Sequence, residues 1–310
     1  MNFIIYLFAF LKNAIYGSSV YFTASLTQST DVLDILSLRF LLSLVVLWFL
    51  KSLKVLKINV GIKDFFRKAS YSGGLKNLLL AALFEPILYM LFETLGISMT
   101  TGITAGVILS LSPISACIAE SVLLKEKNTT LQKFFLALGI VGVIYIALKT
   151  PSTGGKDTPL GIIFMFLAVM TGSLFCVFSR KSSKSFTTME ITYITCMLGA
   201  LSFNAVNIIR HLAYGNILNY FSPYMNTENM IGFIFLSVIS TILATGMNNF
   251  ALSAMKISTM AAFGGVSTLV TIFIGVAVCG EKLMPYHIIG LILIVTRMVG
   301  VSYIDIKNGK

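Results

Sequence analysis

The stretch "VLLKEKNTTL" at 122–131 returns in altered form as "AVCGEKLMPY" at 277–286. Each sets a Glu-Lys pair between two apolar runs, and Glu126 and Glu281 are 281 − 126 = 155 positions apart, half of the 310 residues. The same offset aligns Gly17 of "YGSSVYF" with Gly172 of "TGSLFCVF", "ETLGIS" at Glu93–Ser98 with "NNFALS" at Asn248–Ser253, and Thr104 with Thr259. No gap is needed. The chain reads as one unit used twice, over 1–150 and 156–306.

Composition sets the class of that unit. Apolar residues make up 56% and charged residues 11%, against roughly 25% charged in a soluble domain. The mean hydropathy is +0.90. A bilayer-spanning helix takes about 20 apolar residues, and backbone groups facing lipid must be paired within the helix. Ten such runs are present, at 3–24, 33–50, 77–98, 103–124, 131–148, 160–179, 189–209, 230–252, 257–279 and 286–304. An all-α integral membrane protein of ten transmembrane helices follows.

The basic residues orient it. With the N-terminus inside, sixteen Lys and Arg fall in inner segments and four in outer ones, a strong positive-inside bias. Both termini are expected in the cytoplasm, and the net charge of +11 is a topology signal rather than a nucleic-acid footprint. A removable signal peptide is not expected. Five spans per unit is an odd number, so the second unit enters the membrane from the opposite side. Two inverted five-helix repeats that meet near the midplane are a common architecture of secondary transporters.

The chain resembles the drug/metabolite transporter superfamily, and within it the ten-helix EamA-type transporters. The likeness is carried by "AIYGSSV" at 14–20, "LRF" at 38–40, "LSLSPISACIAESVLLKEK" at 109–127, "TGSLFCVFSRK" at 171–181 and "GEK" at 280–282. The first half departs from the family by Lys125 where Gly is usual, and Gly142 and Gly290 keep only part of the glycine spacing of the helix that follows. The resemblance implies a metabolite exporter or exchanger with a cavity between the units and no ATP site. It does not fix the substrate, since members carry amino acids, nucleotide sugars and phosphorylated sugars.

Ionisable groups at membrane depth are costly and mark candidate sites. They are three cations, Lys12, Arg39 and Arg297, and three acids, Glu85, Glu93 and Glu120. Two fixed pairs can be drawn, Lys12 with Glu85 and Arg39 with Glu93. In "FEPILYMLFETLG" the spacing of four sets Glu85, Tyr89 and Glu93 on one helical face, and Pro86 removes a backbone donor beside Glu85. That face should line a cavity, where either carboxylate could exchange a proton and couple transport to a gradient. Asn248, the repeat mate of Glu93, stands beside Asn249, and Asn13 beside Lys12. These asparagines can bind a polar solute or glue helices. Arg297 has no obvious mate; substrate, headgroups or Glu120 all remain open to it. "GVILSLSP" and "AAFGGVSTLV" are rich in small residues, so the fourth and ninth spans should pack closely. Tyr214, Tyr220, Phe221 and Tyr224 fit an outer aromatic belt.

No catalytic set, metal cluster or cofactor motif appears. His211 and His287 stand apart, "STGGK" at 152–156 lacks a P-loop context, and the four cysteines show no CxxC spacing. The expected partners are a small solute and the bilayer, with a homodimer left open and nucleic acid excluded. The expected location is the plasma (inner) membrane. The expected activity is secondary transport of a small polar metabolite, an amino acid or related zwitterion being favoured. Sugar phosphates or nucleotide-linked anions are the alternative substrates, and a channel or membrane-embedded enzyme the alternative class.

Overall fold

The computed structural model describes residues 2–54, 74–123, 157–254 and 263–278, with isolated positions from 134 to 145 and from 257 to 300. Among these the chain is helical, without strands. We label the helices α1 (Asn2–Leu26), α2 (Val32–Ser52), α3 (Gly74–Ser98), α4 (Gly102–Leu123), α5 (Pro159–Ser182), α6 (Thr188–Ala213), α7 (Thr227–Ile234, Phe235–Ala244 and Thr245–Ala254) and α8 (Gly264–Ala277). Six of them are long and apolar enough to cross a membrane. The protein is an all-α, multi-pass membrane protein. Eight of the expected spans fall on α1–α8, and the runs at 131–148 and 286–304 lie outside the described residues except for isolated positions.

The helix starts are written in short polar side chains. Asp31 accepts the Leu33 N–H, Thr101 that of Thr104, and Thr158 that of Gly161, each satisfying a donor that the first turn cannot. Thr187 and Glu190 form a reciprocal capping box at the start of α6. Such caps matter at the ends of membrane helices, where orphan N–H groups stand close to the apolar layer.

Two helices are interrupted at repeat-related places. α3 widens to a π turn at Leu83–Leu88, where Glu85 leaves helical geometry (φ −145°, ψ 121°) beside Pro86. α7 widens likewise at Phe235–Ala244, without a proline. A shift of 155 carries Glu85 and Pro86 onto Ser240 and Thr241, inside that second segment. α4 is interrupted at Ser110–Leu111, just ahead of Pro113, which has no N–H to offer an upstream carbonyl.

Helix packing repeats under the same exchange. α1 packs on α8 as α5 packs on α4; α1 packs on α7 as α5 packs on α3; and α2 pairs with α6. Close crossings rest on glycines. A Cβ at Gly17 would stand 2.5 Å from the Ser267 carbonyl, and one at Gly199 would stand 2.4 Å from Pro86 Cγ. The α2–α6 seam is polar at one end. Asn207 donates to Asp34 at 2.9 Å and to Ser37 at 2.8 Å, Arg210 pairs with Asp34 at 2.9 Å and also with Asp31, and His211 Nε2 lies 2.8 Å from Asp34.

One expectation is borne out and one corrected. The fourth and ninth spans pack closely: a Cβ at Gly106 would stand 2.8 Å from Thr271 Cγ2, and Ala116 further along α4 shares a buried cluster with Ile257 and Met260. Both parts of α4 also pack on α5. The aromatic belt keeps Tyr214 and Phe221 at the surface, whereas Tyr220 and Tyr224 turn inward. Their hydroxyls donate to Asn204 Oδ1 at 2.5 Å and to the Leu38 carbonyl at 2.6 Å. A phenol that finds a buried acceptor gains more there than at the interface.

Candidate functional site

The helix interruptions surround a cavity of about 130 Å³ between the two repeats. Its wall takes Lys12, Asn13 and Tyr16 from α1 and Arg39 from α2. α3 contributes Glu85, Tyr89 and Glu93, and α7 contributes Ser240 and Asn248. The stripe of four-residue spacing on α3 therefore faces the cavity. Gly172 on α5 leaves room for the Tyr89 ring, since a Cβ there would stand 2.9 Å from its Cδ2.

The charges in this wall do not neutralise one another directly. Lys12 Nζ donates to Asn248 Oδ1 at 2.8 Å and lies 5.6 Å from the centre of the Tyr16 ring. Arg39 Nε donates to Thr241 Oγ1 at 2.9 Å, and its Nη2 to Ser240 Oγ at 3.2 Å. Tyr89 donates to Glu93 Oε1 at 2.6 Å. Glu85 has no hydrogen-bond partner among the described residues. The pairs drawn from sequence, Lys12 with Glu85 and Arg39 with Glu93, do not close.

The cause is the π segment of α7. It presents Ser240 and Thr241 to α2, while Asn248, two turns further on, reaches α1, so uncharged acceptors meet both cations first. Thr241 can serve because its own hydroxyl donates to the Leu236 carbonyl at 2.8 Å, leaving a lone pair for arginine. On the other wall Tyr89, one turn before Glu93, already occupies that carboxyl. Lys12 is 6% exposed, Arg39 2% and Glu93 6%. Charges so far from water keep only part of the compensation that a direct ion pair would give.

The remaining candidates separate. Asn13 lines the cavity but donates to the Ala9 carbonyl of its own helix at 2.6 Å. Asn249 accepts from Ser179 at 2.8 Å and donates to Thr192 at 2.9 Å, which makes it a bond between α7, α5 and α6. Glu120 pairs with Arg180 at 2.5 Å, one turn beyond the cavity-lining part of α4. Arg297, Glu126 and Glu281 lie outside the described residues. Cys176 lines the cavity and Cys196 is buried, both as free thiols. Among the described residues no cluster could hold a metal.

Sequence reasoning missed Tyr16, Ser240 and Thr241. Signals for all three existed. Tyr16 lies one turn from Lys12 on the same face, and Ser240 and Thr241 are the repeat mates of Glu85 and Pro86. Cys176 lines the wall four positions after Gly172.

The comparisons with known proteins agree with this architecture. The model of the EamA-like transporter family matches twice, over residues 3–148 and 159–303. YcxC, an uncharacterized transporter of Bacillus subtilis (strain 168), is 28% identical over 295 residues, covering 95% of this chain and 91% of that one. YyaM, a second uncharacterized transporter of the same strain, is 22% identical over 218 residues, covering 67% of this chain and 66% of that one. A protein of known crystal structure shares the fold with a TM-score of 0.69 at 14% identity, over 98% of both chains. Two copies of one family domain, arranged around a charged cavity in an all-α membrane protein, place the chain in the EamA-like transporter family, among the membrane transporters of small solutes.

Proposed function

We propose that the protein is a secondary carrier, not an enzyme, that moves a small zwitterion such as an amino acid across the plasma membrane by alternating access. Export or exchange is the favoured direction, and both termini lie in the cytoplasm, in keeping with the distribution of basic residues. One observation carries the reading: two buried cations and two carboxyl groups face one cavity without closing on each other. Arg39 and Lys12 use only part of their donor capacity on α7. Glu85, which has no hydrogen-bond partner among the described residues, offers its carboxyl across the space. A solute carrying a carboxylate and an ammonium completes both sets at once, with charge-assisted bonds at each end. An anion of the sugar-phosphate type satisfies the cations but sets its charge against Glu85 and Glu93.

Counterflow in proteoliposomes tests this. Vesicles preloaded with a mixed amino-acid pool should transiently and saturably accumulate at least one labelled amino acid. Accumulation of phosphorylated sugars alone would replace the zwitterion by an anion. Flux without saturation or exchange would indicate a channel.

A further inference from the structure

Beside Glu85 lies a second, much smaller space of about 10 Å³, room for one water-sized group. We propose that it is an ammonium subsite, which takes the unsubstituted ammonium group of the solute between Glu85 and Thr195 and turns away N-alkylated ammonium. This rests on the zwitterion reading and adds which amines the carrier accepts.

Glu85 and Met90 line both this chamber and the main cavity, so the carboxyl stands at the boundary of the two. The other polar walls are threonines, Thr192 and Thr195 from α6 and Thr241 and Thr245 from α7. Three of these hydroxyls give their protons to main-chain carbonyls: Thr195 to Ile191 at 2.9 Å, Thr192 to Thr188 at 3.0 Å and Thr241 to Leu236 at 2.8 Å. What they have left is lone pairs. Thr192 uses one on Asn249 and Thr241 one on Arg39, at 2.9 Å each. Thr195, though buried, accepts no hydrogen bond among the described residues. Phe40, Pro86 and Phe175 add no polar hydrogen from their side chains, and Pro86 lacks even a backbone N–H. The chamber thus offers a carboxyl group and an unused hydroxyl oxygen, both acceptors.

Such a lining suits either an ammonium group or a bare metal cation, and charge separates the two. Lys12 and Arg39 line the main cavity and not the chamber; with Glu85 and Glu93 they make two positive groups against two negative ones. A free metal cation would add an uncompensated charge to that buried set, whereas the ammonium of an amino acid arrives with its own carboxylate. Thr241 borders the chamber and holds Arg39, so the two ends of the solute are read on neighbouring walls. Size sets the second limit. A methyl group on the nitrogen would need room against Phe40, Pro86 and Phe175 that the chamber does not have, and overpacking of a closed wall is costly. Primary amines are therefore accepted, and N-methyl amino acids and betaines are refused.

Thermal unfolding of the full chain in detergent tests this with methylammonium, dimethylammonium and sodium chlorides, each against choline chloride at the same ionic strength. A ligand at ten times its half-saturating concentration multiplies the folded-to-unfolded ratio about elevenfold. Methylammonium should raise the midpoint accordingly, while dimethylammonium and sodium should act as choline does. Glu85→Gln should abolish the rise. Thr195→Val should raise the half-saturating concentration severalfold, and Thr195→Ser, which keeps the hydroxyl, should not. Equal effects of methylammonium and dimethylammonium, or no effect of methylammonium, overturn the subsite. A rise with sodium alone would replace the ammonium by a metal cation and overturns it too. If Thr195→Val does not fold, persistence of the methylammonium effect in Glu85→Gln is the overturning result. These probes carry no carboxylate and need no transport. Selectivity for methylammonium without counterflow of any amino acid would therefore refute the carrier and leave the subsite standing, and counterflow without that selectivity would do the reverse.

Discussion

The contact between Gly172 and Tyr89 gives the sharpest handle on the site. In Gly172→Ala the new Cβ would meet Tyr89 Cδ2 at 2.9 Å and Cε2 at 3.2 Å. Carbon pairs prefer about 3.5–4.0 Å, so the ring must retreat by roughly 0.5–1 Å. Overpacking of this size costs about 1–3 kcal/mol. The ring also carries the hydroxyl that donates to Glu93 at 2.6 Å, so its retreat stretches that bond and costs about a further 1 kcal/mol. Thermal unfolding in detergent should show the loss as a fall of several degrees, and counterflow should weaken in parallel. A double-mutant cycle isolates the cause. In a Tyr89→Ala background the clash is gone, so Gly172→Ala should cost little there, with a coupling of about 1–3 kcal/mol. Equal costs in both backgrounds, or an unchanged midpoint in Gly172→Ala alone, would refute the geometry.

Other expectations follow from the same contacts. Asn248→Ala strips Lys12 of its acceptor and should destabilise by about 1.5–3 kcal/mol, whereas Asn248→Asp should restore the midpoint by offering a carboxylate; chemical denaturation checks both. Asn249→Leu should lower the unfolding midpoint yet leave the half-saturating solute concentration of counterflow unchanged, since this side chain joins helices outside the cavity. Arg39→Lys keeps the charge but cannot reproduce the fork to Ser240 and Thr241, so apparent affinity should fall about tenfold in a competition assay. Gly17→Leu places a side chain where the Ser267 carbonyl stands, and size-exclusion profiles should show loss of the folded species.

Most of the fold was legible because the bilayer reduces the problem to counting. A run of apolar residues of fixed length can only be a helix there, and Glu126 and Glu281 disclose the duplication without any alignment. The cavity face of α3 was legible for a similar reason: Glu85, Tyr89 and Glu93 share one helical stripe, and lipid would not accept it. The partners of the charges were not legible. Lys12 and Arg39 look balanced by Glu85 and Glu93 when charges are matched by depth. Three-dimensional reach decides otherwise, because the π segment of α7 delivers Ser240 and Thr241 to the arginine. No proline or glycine marks that segment within Phe235–Ala244, so local propensity is silent; only the 155-residue offset from Glu85 points to it. Asn249 was placed with Asn248 because adjacency in sequence hides a rotation of about 100° around the helix, enough to send one side chain into the cavity and the other between helices.

The claim that the cavity holds a solute by both of its charges is tested most directly by competition. Counterflow of the labelled amino acid is measured against three unlabelled competitors: the same amino acid, its methyl ester and its N-acetyl derivative. The expected result is that only the intact zwitterion competes at comparable concentration, and that Glu85→Gln weakens its advantage over the N-acetyl derivative. Equal competition by all three would show that neither charge is read in the cavity and would contradict the account.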